Sequence, residues 1–529
     1  MTKVSRAGRF FWPALTGVIG AGVLLAVSEL IALLVAREAS PILAVGSFVI
    51  DIVPQPVKEF AIAAFGAFDK IALLLGLALA VIVAASLAGL LEARWRYSGA
   101  VVLAIGAALA TAAILTRSGA SGLAWLPPLA GAIAGIAVLL ILIKRYRRWA
   151  QLPADRSAPL DDADEKETDA VTARMGRRSF FALSLVAAGS ALVVGIGARV
   201  ANVATTSVRA IRDALKLPAP RAEVALPDGA ELDIPGLSPL ITPNADFYRV
   251  DTALTVPTVD PGTWRLIIDG MVDRRVEITF DQLLEMGLDE YVITLTCVSN
   301  EVGGKLVGNA RWLGVPLRDV LRLAGPQANA DMVLSRSVDG YTASTPLSSL
   351  TDDGIDAILA VGMNGEPLPL EHGFPVRMVV PGLYGYVSAT KWLTELKVTT
   401  FAADEAYWTP RGYSAEAPIK FSSRVDTPRP GKRVSAGRTP IAGVAWAQTV
   451  GIERVEVSID DGAWQAATLS TPINDDTWVQ WHLEWDAEPG THYVAVRAID
   501  RQGNLQAEEK APIAPDGSSG WHRVLISVD

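Results

Sequence analysis

Long apolar runs dominate roughly the first 200 residues, whereas the remainder mixes apolar and polar residues as soluble domains do. A helix that spans a bilayer needs about 20 predominantly apolar residues. Five runs meet this requirement, and the predicted spans are Phe11–Ala36, Ile71–Leu91, Gly99–Thr116, Gly122–Ile143 and Phe180–Ala198. A further apolar stretch, Pro41–Phe65, is interrupted by charged residues and prolines, which favours an extracytoplasmic loop with interfacial segments over a sixth span.

Basic residues at the ends of these runs predict the orientation of the chain, because cytoplasmic loops carry an excess of lysine and arginine. Such residues precede the first span, separate the second from the third and follow the fourth: Lys3, Arg6, Arg9, Arg94, Arg96, Lys144, Arg145, Arg147 and Arg148. They place the N-terminus in the cytoplasm, and an odd number of spans then places everything after Ala198 outside it. Glu29 is the clearest ionisable residue within a span, and a single such residue favours a membrane anchor over a transport path.

A polar, acidic segment at residues 151–178 separates the four-span domain (1–150) from the fifth span (179–200), and its composition predicts a disordered cytoplasmic linker. The linker ends in Gly176-Arg177-Arg178-Ser179-Phe180-Phe181, and a weakly hydrophobic run follows. This pattern resembles a twin-arginine export signal placed inside the chain. The alternative is that the two arginines are ordinary positive-inside anchors. Because the twin-arginine translocase exports folded proteins, the signal predicts a cofactor that is inserted in the cytoplasm of a bacterium.

The remaining sequence divides into three parts with different patterns, which are a connector at 201–240, a domain of mixed pattern at 241–430 and a regularly alternating domain at 431–529. In the mixed domain, Trp264–Gly270 alternates like a strand and Thr279–Leu284 resembles the start of a helix. The segment Ala310–Leu321 predicts a loop followed by an amphipathic helix. Interspersed strands and short helices predict an α+β fold.

The last domain predicts short strands at regular spacing. Glu453–Gly462, Trp478–Trp485 and Thr491–Ile499 each alternate apolar and polar residues, and the first ends in an Asp-Gly turn. This arrangement is typical of an all-β immunoglobulin-like sandwich.

Composition and charge narrow the functional classes. The net charge is −9, which disfavours nucleic-acid binding because that needs a basic surface. The four histidines are scattered and show no zinc-site spacing. Cys297 is the only cysteine and follows Ile293–Thr296, which predicts a buried strand. Such a cysteine is either a small buried hydrophobe or a soft, reactive ligand, and its immediate neighbours do not decide between the two.

Three segments, taken in order, resemble the sulfite oxidase family of molybdenum enzymes. They are the Cys297 strand, the Arg-Trp-x-Gly-x-x-Leu segment at Arg311–Leu317 and the block Met363–Leu393, which contains Asn-Gly-Glu-Pro-Leu-Pro, His-Gly-Phe-Pro-Val-Arg, Val-Val-Pro-Gly and Lys-Trp-Leu. The resemblance covers about Asn244 to Asp529 and leaves the five spans outside it. It implies a molybdopterin-binding α+β domain with one molybdenum per chain. The metal would be held by molybdopterin and by the thiolate of Cys297, a soft ligand that suits a sulfur-bound metal.

The resemblance also assigns residues to the cofactor. The family places cofactor contacts at His372, at Arg377 and in the segment that ends with Lys391, and an early loop with Asn and two aromatic residues touches the pterin or the metal. The implied cofactor-binding residues are Asn244, Phe247, Tyr248, Cys297, His372, Arg377, Ala389, Thr390 and Lys391. Arginine offers a planar fork to phosphate and polar rings, and lysine offers a point charge.

The catalytic residues implied by the resemblance are Cys297, Tyr413 and Arg249. The segment Trp408–Tyr413 resembles the one that holds the family's active-site tyrosine, with Tyr407 as a competitor, and Arg249 is expected near the metal to attract an anion. The chain departs from the family at Glu301. Sulfite oxidases continue from the cysteine with Ala-Gly-Asn and then arginines, whereas this chain continues with Val-Ser-Asn-Glu. A negative charge there disfavours a dianion such as sulfite.

The sequence therefore predicts a multi-pass protein of the bacterial cytoplasmic membrane with an extracytoplasmic, molybdopterin-dependent oxidoreductase domain. The reaction expected is oxygen-atom transfer to or from a small oxoanion or sulfur compound. A separate electron carrier or the quinone pool must exchange its electrons, because one cysteine cannot form a haem-attachment motif. In the resembled family the C-terminal domain mediates homodimer formation, although a sandwich equally serves as an appendage or a docking face. The alternatives are a non-enzymatic envelope sensor or scaffold and a transporter with a soluble regulatory domain.

Overall fold

The computed structural model describes residues 8–35, 40–53, 57, 69–115, 122–150, 182, 184, 185, 189, 204–253 and 255–529. These residues belong to two compact units. The first comprises Met1–Thr205 and Thr252–Thr255, and the second comprises Thr206–Asp251 and Val256–Asp529. The predicted twin-arginine motif and nearly all of the predicted fifth span lie outside the described residues.

Helices form in the first unit where the apolar runs predict them, since a helix satisfies its own backbone hydrogen bonds. The helices are α1 Gly8–Val35, α2 Pro41–Ile52, α3 Asp69–Arg94, α4 Ser98–Leu115 and α5 Leu126–Ala150. In four of them, all except α2, a stretch is long and apolar enough to cross a membrane. These four coincide with the first four predicted spans. The 12-residue α2 lies in the stretch predicted as a loop with interfacial segments.

Glycines allow α1 to approach α3 and α5 closely. A Cβ atom added to Gly17 of α1 would overlap the carbonyl oxygen of Ala85 in α3, and one added to Gly89 of α3 would overlap that of Pro13. A Cβ atom on Gly131 of α5 would likewise overlap the side chain of α1 that packs against it. Contacts through small residues are the usual way in which apolar helices associate when both are surrounded by lipid.

Two carboxylates of this unit, one half-buried and one buried, cap helices. Glu29 in α1 accepts hydrogen bonds from the Ser40 hydroxyl at 2.8 Å and the Ile42 amide at 3.3 Å, at the start of α2. Glu92 in α3 is 1% exposed and accepts from the Gly99 amide at 3.0 Å, at the start of α4. Amide groups in the first turn of a helix have no partner within that helix, so both carboxylates fill a structural need.

The second unit begins with helix α6, Ala204–Ala214, and an irregular connector, and then forms two five-stranded sheets. The sheets have the strand orders β2-β1-β10-β5-β6 and β3-β4-β7-β8, with β9 also paired to β7. The strands are β1 Arg265–Gly270, β2 Val276–Thr279, β3 Asp289–Thr296, β4 Val307–Pro316, β5 Met332–Ser337, β6 Thr342–Pro346, β7 Ile358–Met363, β8 Glu366–Pro367, β9 Arg377–Val379 and β10 Leu393–Thr399. The helices among them are α7 Phe280–Glu285, α8 Leu317–Arg322, α9 Leu347–Thr351 and α10 Gly385–Ser388.

Local signals explain several of these elements. The Thr279 hydroxyl accepts from the Gln282 amide at 3.1 Å, and the Gln282 side chain accepts from the Thr279 amide at 2.8 Å. This reciprocal pair starts α7 where the sequence predicts a helix start. The loop predicted at the beginning of Ala310–Leu321 is wrong, because Ala310–Pro316 belongs to β4. That strand is buried on both faces, so it lacks the alternation by which an exposed strand is recognised.

The C-terminal part is a two-sheet β sandwich. Its strands are β11 Ser422–Thr427, β12 Arg433–Val434, β13 Gly437–Trp446, β14 Ile452–Ile459, β15 Gln465–Ala466, β16 Thr468–Leu469, β17 Val479–Ala487, β18 Gly490–Asp500 and β19 His522–Val528. The strand orders are β11-β13-β17-β16 and β12-β19-β18-β14-β15. Fully buried residues of both sheets, such as Trp481 and Val494, share one core. The three predicted strands correspond to β14, β17 and β18.

Candidate active site

The site begins where β3 ends. Cys297 is buried and directly follows β3, which pairs with β4 along its whole length. The Cys297 amide donates to the carbonyl of Leu306 at 2.9 Å, and the Asn300 side chain accepts from the Leu306 amide at 2.8 Å. These bonds close residues 297–306 into one loop, which we call the cysteine loop. One backbone hydrogen bond and one bond to the Asn300 side chain therefore hold the shape of the loop.

The C-terminal sandwich supports this loop from outside. The Ser518 hydroxyl donates to the Asn300 carbonyl at 2.7 Å, and Arg424 donates to the Gly304 carbonyl at 2.6 Å. A Cβ atom added to Gly303 would overlap the ring of His522. The sandwich therefore contributes directly to the position of the cysteine.

The thiol of Cys297 is protonated unless a cation binds it. Burial raises its pKa, while hydrogen bonds from Ser299 and the charge of Lys391 act in the opposite direction. The Ser299 amide donates to Cys297 Sγ at 3.4 Å. A metal replaces the thiol proton when it binds, so the raised pKa is compatible with ligation.

Tyrosines surround the cysteine. Burial raises the pKa of Tyr248, Tyr341 and Tyr384, and in each case Cys297 adds to the increase when it is present as the thiolate. For Tyr384 the pKa rises to about 12. The Tyr341 hydroxyl donates to the carbonyl of Tyr386 at 2.7 Å. The sequence predicted only Tyr248 of these three, although Tyr341 lies beside the Asp-Gly turn between β5 and β6, a position where such side chains often serve a site.

His372 is buried and neutral. Burial, followed by the charge of Arg377, lowers its pKa to about 4. Its Nε2 lies 3.1 Å from the carbonyl oxygen of Asn244, so the neutral ring donates its proton there. The ring also contacts that of Phe247 edge-on, with the centroids 5.5 Å apart. Three of the predicted cofactor contacts therefore meet in one place.

Arg377 is a buried guanidinium without a carboxylate partner among the residues that the structure describes. It donates to the carbonyls of His372 at 3.2 Å, Met378 at 3.3 Å and Ala389 at 3.4 Å, and it lies 5.1 Å from the centre of the Trp312 ring. Burial lowers its pKa to about 10. A buried cation is costly unless an anion compensates it. The arrangement fits an anionic ligand.

Lys391 completes the cationic part of the site. Its Nζ lies 2.7 Å from Asp251 Oδ2 and donates to the Glu371 carbonyl at 3.1 Å. Burial lowers its pKa to about 8, and Asp251 partly offsets the decrease. The adjacent Thr390 accepts from the Met378 amide at 2.9 Å, which ties this segment to β9.

Arg249 pairs with the same carboxylate. Its Nε lies 2.8 Å from Asp251 Oδ2, and its side chain is 35% exposed. Arg249 borders a cleft of about 490 Å³ whose lining also includes Asn244, Phe247 and His372. The arginine predicted to attract an anion therefore has its charge offset by Asp251.

Tyr413 lies in an aromatic cluster. Its ring centroid is 5.2 Å from that of Trp408 and 5.6 Å from that of Tyr386. The competing Tyr407 instead contacts Tyr341 at 5.6 Å and receives Arg411 over its ring face. Glu301 is exposed at the surface of the cysteine loop, where its carbonyl accepts from the Gly304 amide.

Molybdenum bound by a pterin dithiolene needs a soft protein ligand and partners for a phosphate and a polar ring. Cys297 supplies the soft ligand. Arg377 and Lys391 supply the partners for the phosphate and the polar ring. The buried hydroxyl of Thr296, beside the cysteine, has no hydrogen-bond partner among the described residues. The residues present therefore fit the cofactor.

Comparison with known proteins agrees with this geometry. Residues 253–408 match the family described as oxidoreductase molybdopterin binding domain, and residues 415–529 match the Mo-co oxidoreductase dimerisation domain. Sulfite oxidase of Gallus gallus is 30% identical over 336 residues, which cover 54% of this chain and 72% of the relative. This chain belongs to the sulfite oxidase family. Residues 253–408 are accordingly a molybdopterin-binding domain of the type found in these oxidoreductases.

Other members of the sulfite oxidase family are similar over the same part. Mitochondrial sulfite oxidase of Homo sapiens is 32% identical over 341 residues, 54% of this chain, and the chain spans 62% of the length of that relative. Among solved structures, sulfane dehydrogenase SoxCD from Paracoccus pantotrophus matches with a TM-score of 0.48 and 24% identity, over 55% of this chain and 84% of that one.

Proposed function

We propose that this chain is a membrane-anchored oxidoreductase that transfers an oxygen atom to or from a small oxoanion or sulfur compound at a molybdenum ligated by Cys297. The observation that carries the proposal is the buried thiol of Cys297, which receives hydrogen bonds from Ser299 and lies among buried tyrosines. When bound, the molybdenum cofactor supplies two-electron oxygen-atom transfer.

The residues of this chain have distinct tasks in the proposed reaction. Ser299 holds the sulfur of Cys297 in place through its amide. Arg377 and Lys391 offset the negative charge of the pterin phosphate. Tyr413, held by the rings of Trp408 and Tyr386, donates a hydrogen bond to the oxygen of the substrate. Arg249 is the remaining proposed substrate contact.

Within this substrate range we favour a sulfur compound with little negative charge. Several relatives are named sulfite oxidases, and sulfite is a dianion. Here the cations Arg249 and Lys391 share the carboxylate of Asp251, so neither offers a full charge to an anion. Glu301 adds a negative charge on the cysteine loop.

A substrate panel tests the choice directly. Sulfite, sulfoxides and N-oxides are to be assayed with artificial electron carriers on the full-length, cofactor-loaded protein. We expect a higher kcat/KM for a neutral sulfoxide than for sulfite. A higher kcat/KM for sulfite, with a KM that rises steeply with ionic strength, would contradict the neutral substrate while leaving oxygen-atom transfer in place.

The metal assignment has its own test. Wild-type protein from cells able to make the cofactor is expected to contain about one molybdenum per chain by elemental analysis. Cys297→Ser should lose the metal and the activity while its fold, followed by circular dichroism, stays the same. Molybdenum below about one per several chains in the wild type would support the sensor, scaffold or transporter alternatives. Unchanged activity of the Cys297→Ser variant would disprove the ligand assignment.

We further propose that the helices anchor the chain in a bacterial cytoplasmic membrane with the N-terminus inside and the catalytic domain outside. The four long apolar helices support the anchor, and so does the buried carboxylate of Glu92, which caps one of them. Replacing Arg177 and Arg178 with lysine should keep the catalytic domain in the cytoplasm, where external protease cannot reach it. Normal export of this variant would refute the internal twin-arginine signal.

The sandwich is proposed to be an immunoglobulin-like domain that forms a homodimer. Two features support this: the strand order of its two sheets, which corresponds to the immunoglobulin arrangement, and the match to a dimerisation family. The electron partner is proposed to be a separate carrier or the quinone pool. Sedimentation of the detergent-solubilised protein checks the dimer, and reduction by a quinol analogue checks the partner.

A further inference from the structure

Helix α6 reaches the cofactor-binding segment through one arginine. The guanidinium of Arg212 donates to the carbonyls of Leu368 at 3.0 Å and Pro367 at 2.7 Å, and it lies 2.9 Å from the carboxylate of Glu366. Its side chain is 15% exposed, so the contacts are largely shielded from water. The helix precedes the residues that match the molybdopterin-binding family, and that match therefore assigns it no role.

Glu366 connects this arginine to the loop that carries Asn244. The side-chain amide of Asn244 donates to Glu366 Oε1 at 2.5 Å and to the Met363 carbonyl at 3.3 Å. The backbone carbonyl of Asn244 lies 3.1 Å from His372 Nε2. A continuous network thus runs from Arg212 through Glu366 and Asn244 to His372, and the last two are predicted cofactor contacts.

The network borders the cleft of about 490 Å³, and all four of its residues line that cleft. Val208, one turn before Arg212 in α6, is 4% exposed and belongs to the same apolar cluster as Phe247. The helix is therefore fixed against the site by both an apolar and a polar contact. The apolar contact leads to Phe247, whereas the polar contact leads through Glu366 to Asn244 and His372.

We infer that Arg212 is a positioning residue for the molybdopterin site, acting through Glu366 on Asn244 and His372. The inference deepens the proposed function, because it takes molybdopterin as the resident group. The carboxylate of Glu366 is 47% exposed and turns to water once Arg212 is removed. Asn244 then keeps its hydrogen bonds to Met363 and Asn364 but loses its charged acceptor, so it is held less firmly and the cofactor leaves the site faster.

Release of the cofactor measures this effect without any need for turnover. Full-length, cofactor-loaded protein is incubated in detergent, free pterin is separated by gel filtration, and both the fluorescence of the oxidised pterin and the molybdenum remaining per chain are followed. We expect Arg212→Met to accelerate release about tenfold, the usual effect of removing a residue that supports a ligating one. Arg212→Lys should restore most of the retention, because lysine still reaches Glu366.

Arg209 provides the matched control on the same helix. Its side chain is 62% exposed and its nearest contact with Glu371 is 3.6 Å, so Arg209→Met should leave the release rate unchanged. If both variants release the cofactor equally faster than the wild type, α6 only shields the site from solvent. That result would overturn the specific role of Arg212. Release from Arg212→Met at the wild-type rate would overturn it as well.

A double-mutant cycle separates a network from two independent effects. The Arg212→Met/Glu366→Ala double variant should release the cofactor no faster than Glu366→Ala alone, because both changes break the same connection. Rate increases that multiply would contradict the inference. If the wild-type protein retains molybdopterin but turns over no compound of the panel, the proposed reaction fails while the role of Arg212 in retention stands.

Discussion

Lys391 Nζ lies 2.7 Å from Asp251 Oδ2, and the two side chains are 9% and 4% exposed. The same carboxylate also pairs with Arg249, and Arg377 lies buried nearby with no carboxylate of its own among the described residues. Positive charge therefore exceeds negative charge around the pair. The excess suits a cofactor with an anionic phosphate, and it makes the bare site electrostatically strained.

Removal of Asp251 should destabilise the catalytic domain strongly. Asp251→Asn leaves the buried ammonium of Lys391 without its carboxylate, which typically lowers the free energy of unfolding by about 3–5 kcal/mol. The pKa of Lys391 should also fall further below about 8, because Asp251 is what raises it. Tryptophan-monitored denaturation of cofactor-free protein measures the change. Adding Lys391→Met should recover much of the loss, since the unpaired charge is then gone.

An exposed pair provides the control for this prediction. Arg322 and Asp319 lie 2.9 Å apart, with side chains 61% and 40% exposed. Water screens such a pair, so Asp319→Asn should change the free energy of unfolding by less than about 1 kcal/mol. Equal losses from the two substitutions would show that burial of Asp251 contributes nothing.

The contact between the sandwich and the cysteine loop predicts a selective loss of molybdenum. Gly303 has φ +79° and faces the His522 ring, whereas Gly365 has φ +83° and open space around its Cα. Alanine at either position costs about 1–2 kcal/mol of backbone strain, but only Gly303→Ala also displaces the loop. We expect Gly303→Ala to lose most of its molybdenum and Gly365→Ala to keep it, as measured by elemental analysis. Similar metal contents in the two variants would contradict support of the loop by the sandwich.

The fold was predictable where one face of an element is solvated. The alternating strands β14, β17 and β18 and the reciprocal cap at Thr279 have local signatures, because each needs a particular residue type at a particular spacing. Strand β4 has no such signature, since its burial on both faces removes the alternation. Its residues from Ala310 onward were therefore predicted as a loop.

The site was predictable only in part, for a related reason. Cys297, Arg377 and Lys391 stand out because their residue types match cofactor chemistry in an ordered set of motifs. Asp251 and Tyr341 do not, since their importance comes from contacts that the fold alone creates. Asp251 meets Lys391 across 140 positions of sequence, and nothing near either residue indicates the pairing.

One buried and one half-buried histidine predict a loss of stability in acid. Burial holds the pKa of His372 and of His522 at about 4, below the value of about 6.5 for an unfolded chain. Between pH 6.5 and 4 the unfolded chain therefore binds more protons than the folded one, and stability falls as the pH falls. Each histidine contributes a slope of up to about 1.4 kcal/mol per pH unit.

A variant separates the two contributions. The Val425 amide donates to His522 Nδ1 at 3.0 Å, a bond that protonation of this nitrogen removes. His522→Gln keeps an acceptor but does not titrate, so its stability should fall less steeply between pH 6.5 and 4 in denaturation of cofactor-free protein. A slope equal to that of the wild type would show that His522 does not take up a proton on unfolding.

The glycine contacts between α1 and α3 predict which small residues hold the helices together. Gly89 and Gly76 both lie in α3, but a Cβ atom on Gly89 would overlap the Pro13 carbonyl, whereas one on Gly76 would meet nothing within 4 Å. Gly89→Val and Gly76→Val change helix propensity equally. The difference in stability between the two variants therefore reports the packing of the helices alone. We expect Gly89→Val to lose about 1–3 kcal/mol of stability in detergent, the typical effect of overpacking, and Gly76→Val to resemble the wild type. Thermal aggregation of the full chain in mild detergent measures this, and equal behaviour of the two variants would mean that α1 and α3 do not associate through these glycines.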